Sequence, residues 1–587
     1  MSKLSVDQAL IKAKSHIKKN EIAEAKKLYQ AVLLTFPKNV RIQKELASLD
    51  NHVQDNVIQT PSSETIDHLI NLYNQGQYAN VVVKAHSLTK EYPQAFVVWN
   101  ILGAGKKALG QIEEASEAFK KVTELNPNYA DGYNNLGAAL NDQGKLDEAV
   151  EAYNKALLIK PDYADVYNNI GNTFKSLGKL NEAVEAYKKA LLFIPDSPEV
   201  HYNLGIALKI QGKYEEAIET YDRALSLKPD YFEAYNNKGN ALKDQGKLVE
   251  AIKNYKKAIT LKPDYAEAHV NLSFVLLNSG KLKEGLDEYE WRRKTKKGLV
   301  SERHFKLPLW DGKQSLKDKK ILIWCEQGVG DTINWSSRLS NIFSQARHCI
   351  LECQEKLVPL LERSFPNIKV KPENRSNDLD REDFDFHLPM GSLYKHFIED
   401  ISQNPKIEPY LIPNLERVRY WKEQLKSLGN GPYIGISWKS SDMSPERIPN
   451  YSSIEEWSPI LKIPNATFIN LQYKDFENDL IKIKDEFGVN VHNFDDIDHF
   501  DDIDDVAALC KALDMVISNK TTIPFISGGV GTLTKLANWH QSSWNNILLN
   551  PMSSSVKIYE RNTWEPWDNI FNLIASNICN TNKSRSY

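Results

Sequence analysis

A 34-residue interval recurs through the first half of the chain and constrains its fold more than any other feature. Prolines, glycines, alanines and tyrosines all recur at this interval. A fixed period of this length indicates stacked helical hairpins, because one hairpin is too small to bury its own apolar face. The two longest series are Pro93, Pro127, Pro161, Pro195, Pro229 and Pro263, and Gly110, Gly144, Gly178, Gly212, Gly246 and Gly280.

The residue types in each unit suit two packed helices. Small residues at the Gly137 and Ala149 positions let the helices approach closely, and the aromatic at the Tyr153 position fills the space beside them. Gly144 is expected to end the first helix in a conformation that other residues disfavour. Together these features resemble the tetratricopeptide repeat. The resemblance implies an α-solenoid over 95–294, preceded by degenerate units within 1–94.

Asparagines form another series at the same interval, two residues before the small packing position on the first helix of each unit. In the tetratricopeptide family this helix lines the concave surface, and a similar series in eukaryotic O-GlcNAc transferases holds an extended peptide. Because an amide both donates and accepts hydrogen bonds, the resemblance implies peptide binding. The alternative is a consensus residue that is solvated or bonded within the array. The series is Asn135, Asn169, Asn203, Asn237 and Asn271.

Composition excludes several classes of protein. The 587 residues carry 74 basic and 77 acidic side chains, and this near-balance argues against a general nucleic-acid binder. Five cysteines in 587 residues are few, which fits a reducing compartment, and because they lack metal-ligand spacing we expect no metal. The first residues read as a helix rather than a signal peptide, and no apolar run reaches about 18 residues. We therefore expect a cytoplasmic protein without a membrane span.

The second half has a different pattern. After a charged connector at 295–318, apolar β-rich segments alternate with amphipathic ones, which predicts βαβ units and parallel sheets with helices on both faces. We expect one such domain at 319–415 and another at 416–580. The predicted strands are 320–326, 348–353, 367–371, 384–388, 432–438, 466–472, 489–493, 514–518 and 532–537.

Eight segments in this half resemble the glycosyltransferase-like half of bacterial tetratricopeptide proteins, which is related to heptosyltransferases. The resemblance covers about 300–580 in the expected order. It implies two facing Rossmann-like domains, the GT-B fold, with the acceptor on the first and a nucleotide-sugar on the second. The segments are LPLWDG (307–312), ILIWCEQGVGDT (321–332), LECQEKLVPLLE (351–362), HLPMGSL (387–393), IGISWKS (434–440), NLQY (470–473), DDVAALCKALDMVIS (504–518) and VKIYERNTWEPW (556–567).

The stretch WCEQGVGDTINW (324–335) places a turn after a predicted strand, where open α/β sheets bind ligands, and its Gly328 and Gly330 are candidate donor-binding residues. It is not a G-x-G-x-x-G loop, because the third glycine would fall at Ile333. In the resembled family, the acid matching Asp331 is thought to act as general base on the acceptor hydroxyl. The alternative is that Asp331 only caps the helix that follows.

The resemblance also implies a binding site for the donor diphosphate. In IGISWKS, Ser437, Lys439 and Ser440 follow a strand, and Lys439 matches a family position associated with phosphates; the alternative is a surface lysine. Arg447, on the polar loop that follows, is a weaker candidate.

A second donor element is expected at NKTTIPFISGGVGT (519–532). The family has a threonine-rich turn, then a histidine, then a glycine pair opening a helix. Here Phe525 replaces the histidine, which removes a hydrogen-bonding partner near the phosphates. The matching donor-binding residues are Thr521, Thr522, Gly528, Gly529 and Gly531.

The acidic run FDDIDHFDDIDD (494–505) lacks the spacing and the glycine of an EF-hand loop. We interpret it as a solvated turn in which Asp504 or Asp505 caps the next helix. His387 is isolated in the sequence and is expected to be structural or exposed.

Two functions are compatible with the sequence. In the first, the repeats recruit a protein or peptide, or a glycan or glycolipid acceptor. The GT-B half then transfers a sugar from a nucleotide-sugar co-substrate, without metal or other cofactor. In the second, the chain is a protein-interaction scaffold with a catalytically degenerate GT-B half.

Overall fold

The structure is a computed structural model in which the chain forms two compact units, Met1–Asp196 and Ser197–Tyr587. Each unit is described by itself. The described residues are 6–18, 22–36, 39–46, 60–376, 378–397, 399, 407–440, 448–539, 553–561 and 565–584. Arg447 lies outside these ranges.

The first unit is helical, and its consecutive helices pack in pairs. Before residue 95, the helix Val6–Lys18 packs with Ile22–Thr35 and the helix Ser63–Asn74 packs with Tyr78–Glu91, and the segment 40–46 is also helical. The labelled helices are α1 (Val6–Lys18), α2 (Ile22–Thr35), α3 (Ser63–Asn74), α4 (Tyr78–Glu91), α5 (Phe96–Ala108), α6 (Ile112–Leu125), α7 (Ala130–Asp142), α8 (Leu146–Ile159), α9 (Ala164–Ser176) and α10 (Leu180–Phe193).

The second unit opens with the remaining repeats and continues into the α/β region. The helices before the first strand end in a short 3-10 helix at Glu290–Lys294, followed by a single further turn. These helices are α11 (Pro198–Ile210), α12 (Tyr214–Leu227), α13 (Phe232–Asp244), α14 (Leu248–Leu261), α15 (Ala266–Asn278), α16 (Leu282–Tyr289) and α17 (Lys296–Ser301).

The periodic glycines have the two roles predicted for them. The turn glycines at the Gly144 position have φ between 73° and 78°, a region that other residues rarely adopt. The other series permits close helix packing: a Cβ placed on Gly171 would lie 2.5 Å from a ring carbon of Tyr187. The prediction of a tight helix pair with an aromatic beside it is therefore confirmed.

Residues 320–389 form a four-stranded parallel sheet in the order β3-β2-β1-β4. Its strands are β1 (Lys320–Trp324), β2 (His348–Cys353), β3 (Lys369–Pro372) and β4 (Phe386–Pro389). Its helices are α18 (Val329–Ser336), α19 (Leu339–Phe343), α20 (Val358–Ser364) and α21 (Leu393–His396), with 3-10 turns at Glu355–Leu357, Asp378–Asp380 and Met390–Ser392.

Residues 433–561 form a six-stranded parallel sheet in the order β10-β9-β8-β5-β6-β7, so the chain builds outwards from β5 in both directions. Its strands are β5 (Tyr433–Ser437), β6 (Thr467–Asn470), β7 (Val491–His492), β8 (Met515–Ser518), β9 (Thr534–Trp539) and β10 (Val556–Arg561). The helices around it are α22 (Leu415–Ser427), α23 (Ser458–Leu461), α24 (Glu477–Phe487), α25 (Ile503–Ala512), α26 (Ile523–Gly529) and α27 (Trp567–Ser584), with 3-10 turns at Ile448–Asn450 and Ile454–Trp457.

Both sheets are buried by helices, as expected for parallel strands. Ile321, Ile323, Val516 and Leu509 belong to one apolar cluster that runs through both sheet regions. All nine predicted strands are present and parallel, which confirms the α/β prediction. The tenth strand, β10, was not predicted. Among the described residues, no helix is long and apolar enough to cross a membrane.

Candidate active site at the sheet ends

Asp331 lies just beyond the carboxyl end of β1, half-buried in the first turn of α18. Gly328 occupies the N-cap position, so the alternative that Asp331 caps the helix is wrong by three residues. A carboxylate inside the first turn is still favoured by the positive end of the helix dipole. The acid is therefore held at the sheet edge without being the cap itself.

The turn before Asp331 is fixed by glutamines and by the last repeat. Gln354 donates to the backbone oxygen of Gln327 at 2.7 Å, and the amide of Gln327 donates to the hydroxyl of Tyr289 at 3.3 Å. Burial raises the pKa of the Tyr289 hydroxyl, and the Asp331 carboxylate raises it further. Tyr289 is the last tyrosine of the 34-residue series, so the repeat array itself contributes to the surroundings of Asp331.

A buried ion pair lies beside this turn. Arg292, from the 3-10 helix after α16, donates to Glu326 at 2.7 Å and to Ser392 at 3.0 Å. Glu326 follows β1 and Ser392 follows β4, so the guanidinium lies where these adjacent strands end. A second carboxylate, Glu290, accepts from Arg292 at 2.8 Å. Burial raises the pKa of Glu326 although Arg292 opposes it, whereas Arg292 holds the pKa of Glu290 below its ordinary value despite burial.

The donor candidates meet at the carboxyl ends of β5 and β8. Ser437 and Thr521 are both buried, and their hydroxyl oxygens lie 3.3 Å apart. Thr521 also contacts Ser518 at 3.2 Å, so these hydroxyls serve mainly to join the strand ends. Ser440 and Thr522 are half-buried and remain partly accessible.

Sequence reasoning gave no role to Gln472, although NLQY is one of the quoted segments. Its side-chain oxygen accepts from the backbone N–H groups of Trp438 and Lys439, at 3.2 and 3.1 Å. Its amide donates to the backbone oxygen of Lys439 at 2.8 Å. A glutamine from the end of β6 therefore fixes the loop that carries Lys439. Its place just after a predicted strand is the sequence signal that could have identified it.

Lys439 is paired rather than isolated. Its ammonium lies 2.7 Å from Oδ2 of Asp479 on α24, and the indole N–H of Trp438 donates to the same oxygen at 2.8 Å. The side chains of Lys439 and Asp479 are each 24% exposed, so water reaches the pair.

The two sheet regions meet at Gly330. A Cβ on this glycine would lie 3.3 Å from the hydroxyl of Thr522 and 3.7 Å from the ring of Phe525. The residue before Asp331 thus packs against the threonine turn of the other sheet. Phe525 places an apolar ring at this contact, where the resembled family has an imidazole.

The three glycines of the second donor element, Gly528, Gly529 and Gly531, contact other residues than those that meet Gly330. The helix α26 begins after Thr522 and ends at Gly529, so the expectation that the glycine pair opens a helix is wrong. Each glycine faces an apolar side chain, because an added Cβ would lie 2.5–2.8 Å from a neighbouring carbon. The contacts are Gly528 with Val556, Gly529 with Leu411 and Gly531 with Pro409.

The asparagine series makes hydrogen bonds between neighbouring repeats. In the first unit Asn135 donates to Asn100 and Asn169 to Asn134, both at 2.9 Å. In the second unit Asn271 donates to Asn236 at 3.0 Å in the same way. There Asn237 donates to the Tyr202 hydroxyl, and Asn203 is buried in α11. Each donating amide keeps further hydrogen-bonding capacity.

The acidic run forms an exposed turn, as predicted, in which Asp495, Asp496, Asp498, Asp501 and Asp502 are exposed, but it also contacts the first sheet region. The N-cap of α25 is Asp502, not Asp504 or Asp505. Asp504 pairs with Arg363 of the first sheet region, and Lys356 donates to the backbone oxygen of Phe500 at 2.8 Å. Within the described ranges, no group of three or more histidines, cysteines or acids is arranged to hold a metal.

The profile of the TPR repeat family matches residues 106–141, 139–178, 171–212, 207–246 and 239–280. Residues 106–280 are tetratricopeptide repeats. Such arrays offer extended surfaces for binding proteins.

The chain is also similar to FlbA of Caulobacter vibrioides, with 32% identity over 277 residues. The match covers 44% of this chain and 46% of FlbA, so the chain spans less than half of that relative's length. Among solved structures, it is similar to PilF of Pseudomonas aeruginosa, with 20% identity and a TM-score of 0.31, over 34% of this chain and 90% of the other. A tetratricopeptide protein of Thermus thermophilus is 25% identical with a TM-score of 0.27, over 30% of this chain and 97% of the other.

Proposed function

We propose that the α/β half is a GT-B-type glycosyltransferase that transfers a sugar from a nucleotide-sugar to an acceptor recruited by the repeats. The acceptor is a protein or peptide, with a glycan or glycolipid as the alternative. In this proposal Asp331 is the general base, and Lys439, Ser440 and Thr522 hold the donor diphosphate.

The observation that carries the proposal is the contact of Gly330 with Thr522 and Phe525. It brings the turn that bears the predicted base against the predicted donor turn of the other sheet. The strand order adds support. The second sheet runs β7-β6-β5-β8-β9-β10, and in sheets of this order ligands bind outside the strand ends where the order reverses, here between β5 and β8. Ser437 and Thr521 lie at that point.

The chemistry follows from these positions. Asp331 would take the proton of the acceptor hydroxyl while the oxygen attacks the anomeric carbon and the bond to the nucleoside diphosphate breaks. The Lys439 ammonium would stabilise the negative charge that develops on the leaving diphosphate. Gly528, Gly529 and Gly531 have packing contacts that account for them, so they take no part in this proposal.

Donor binding is tested first, by thermal unfolding of the full chain with UDP-, GDP-, ADP- and CMP-sugars. A ligand that binds the native state raises the unfolding midpoint, so one nucleotide class is expected to stabilise the protein. Lys439→Met should reduce that shift. The absence of a shift with every nucleotide would contradict the donor site.

The base is tested with the stabilising donor. Asp331→Asn should bind this donor as the wild type does and should lose about 100-fold or more in transfer, or in slow donor hydrolysis. Asp380→Asn, an exposed acid in the same sheet region, is the matched control and should retain activity. Full turnover by Asp331→Asn would remove Asp331 from the mechanism.

Two observations favour the second function, a protein-interaction scaffold with an inactive sheet half. Asp479 already neutralises Lys439, and Phe525 takes the place of a hydrogen-bonding imidazole. The scaffold predicts no response to any nucleotide, and the thermal experiment therefore separates the two functions.

A further inference from the structure

One carboxylate oxygen holds two donors at the carboxyl end of β5. Oδ2 of Asp479 accepts from the Lys439 ammonium at 2.7 Å and from the Trp438 indole at 2.8 Å. Trp438 is 1% exposed, so its indole fixes the carboxylate in place. Asp479 therefore faces Lys439 as a built contact and is not a freely moving surface acid.

The backbone beside this pair is already occupied. Gln472 accepts from the N–H groups of both Trp438 and Lys439, and its amide binds the Lys439 carbonyl. An anion that enters this loop therefore meets the ammonium of Lys439 rather than these backbone donors. It has to share that ammonium with Asp479 or displace the carboxylate.

We infer that Asp479 is an intramolecular competitor for anions at Lys439 and that it keeps small inorganic anions out of the site. The inference rests on the donor site proposed above and adds a selectivity residue to it. The ligand it admits is a phosphate ester whose remaining groups make further contacts, as a nucleoside diphosphate does.

The physical reason is the repulsion between like charges a few ångströms apart in a partly buried site. Asp479 lowers the affinity of every phosphate ligand by a similar factor. A nucleoside diphosphate can offset this loss through contacts made by its base and sugar. Inorganic pyrophosphate carries similar charged oxygens but has no base or sugar to make further contacts. Its affinity for the site is therefore too low for binding.

The decisive variant is Asp479→Asn. The asparagine oxygen can still accept from Trp438, while the negative charge is removed. Asp485→Asn is the matched control, because Asp485 is an exposed acid on the same helix and its loss changes the net charge equally. Near-ultraviolet circular dichroism checks that the surroundings of Trp438 are unchanged.

Calorimetric titration at low salt, on the full chain, measures binding of inorganic pyrophosphate and of UDP, GDP, ADP and CDP. Asp479→Asn is expected to bind pyrophosphate and the preferred nucleoside diphosphate about tenfold more tightly than the wild type, which corresponds to ~1.4 kcal/mol. Asp485→Asn should show no gain, and Lys439→Met combined with Asp479→Asn should lose the gain.

Two results would overturn the inference in distinguishable ways. If the wild type binds a nucleoside diphosphate and Asp479→Asn binds it no more tightly or more weakly, Asp479 is not a competitor, although the donor site stands. If neither protein binds any nucleoside diphosphate or pyrophosphate, both the inference and the donor site fail.

Discussion

The side chain of His499 is a buried imidazole inside an acidic segment. It is 7% exposed, and within the described structure neither ring nitrogen has a hydrogen-bond partner. Burial lowers its pKa to about 4, although Asp498 and Asp505 oppose the shift. His387 in the first sheet region also has its pKa lowered to about 4, mainly by burial, and its Nδ1 accepts from Trp324 at 3.2 Å. Both imidazoles are therefore neutral in the native protein at pH 7.

These histidines predict a loss of stability in mild acid. The unfolded chain binds their protons near pH 6.5, whereas the native chain resists protonation down to about pH 4. Stability is therefore complete above pH 6.5 and falls as the pH decreases through this window, by up to about 3 kcal/mol for each histidine. His499→Phe should reduce the pH dependence of the unfolding midpoint between pH 7 and 4. His348→Gln, at an exposed position, is the control, and an unchanged pH profile in His499→Phe would contradict the prediction.

Single residues were predictable where the signal is local. The sequence places Asp331 at a strand end because a β-rich run, two glycines and the acid are adjacent. Asp479 could not be found in this way, because it lies 40 residues from Lys439 and only the packing of α24 beside β5 joins them. Arg292 was missed for the same reason, whereas Gln472 lies two residues after β6 and therefore carried a local signal.

At the level of elements, the repeats depend on a contact between a helical glycine and an aromatic ring. Gly171 on α9 faces Tyr187 on α10, and the tyrosine hydroxyl donates to Asn172 at 2.8 Å. The ring is buried and held at its hydroxyl, so it has little freedom to move aside.

Gly171→Ala should therefore destabilise the first unit by about 1–3 kcal/mol, the usual cost of an overpacked core. Gly178→Ala is the informative comparison, because its Cβ would meet no atom within 4 Å and its cost comes from φ of 73° instead. Combining Gly171→Ala with Tyr187→Leu should recover part of the loss, whereas Gly178→Ala with Tyr187→Leu should not. Thermal unfolding of the full chain measures these changes, and no loss in Gly171→Ala would exclude the contact as a determinant of stability.

Elements differ in how far the sequence predicts them. The helices of the repeats follow from periodicity, and the nine predicted strands follow from short β-rich segments that alternate with amphipathic ones. The strand β10 is an edge strand with mostly half-exposed or exposed residues, and charged residues interrupt its apolar ones. The sequence does not show whether α26 begins or ends at the glycine pair, because glycines occur at both ends of helices. The packing of Gly528 against Val556 and of Gly529 against Leu411 fixes the pair at the end of the helix.

For the whole molecule, the ion pair of Arg292 with Glu326 joins the last repeat to the first sheet. Both side chains are 6% exposed, and the guanidinium lies at the ends of β1 and β4. This is the position at which a sheet of the order β3-β2-β1-β4 would otherwise admit a ligand. No sequence pattern indicates this ion pair, because Arg292 and Glu326 are 34 residues apart and one lies in the repeat region while the other follows a strand.

Arg292→Met should destabilise the second unit by roughly 3–5 kcal/mol, since it leaves the buried Glu326 and the half-buried Glu290 without their counterion. Arg293→Met is the matched control, because Arg293 lies in the same 3-10 helix and its pair with Glu302 is more exposed. Adding Glu326→Gln to Arg292→Met should restore part of the stability. Urea unfolding of the full chain would measure all three, and equal losses for Arg292→Met and Arg293→Met would contradict this account.

The position of Arg292 also bears on how such a chain can be divided. A cut at the end of the periodic sequence, near residue 295, would separate Arg292 from Glu326 and leave a water-accessible hole at the tip of β1. A fragment that starts at Ser197 retains both partners. The last repeat is therefore part of the folded sheet region, and it cannot be replaced by a repeat from another protein without loss of this ion pair.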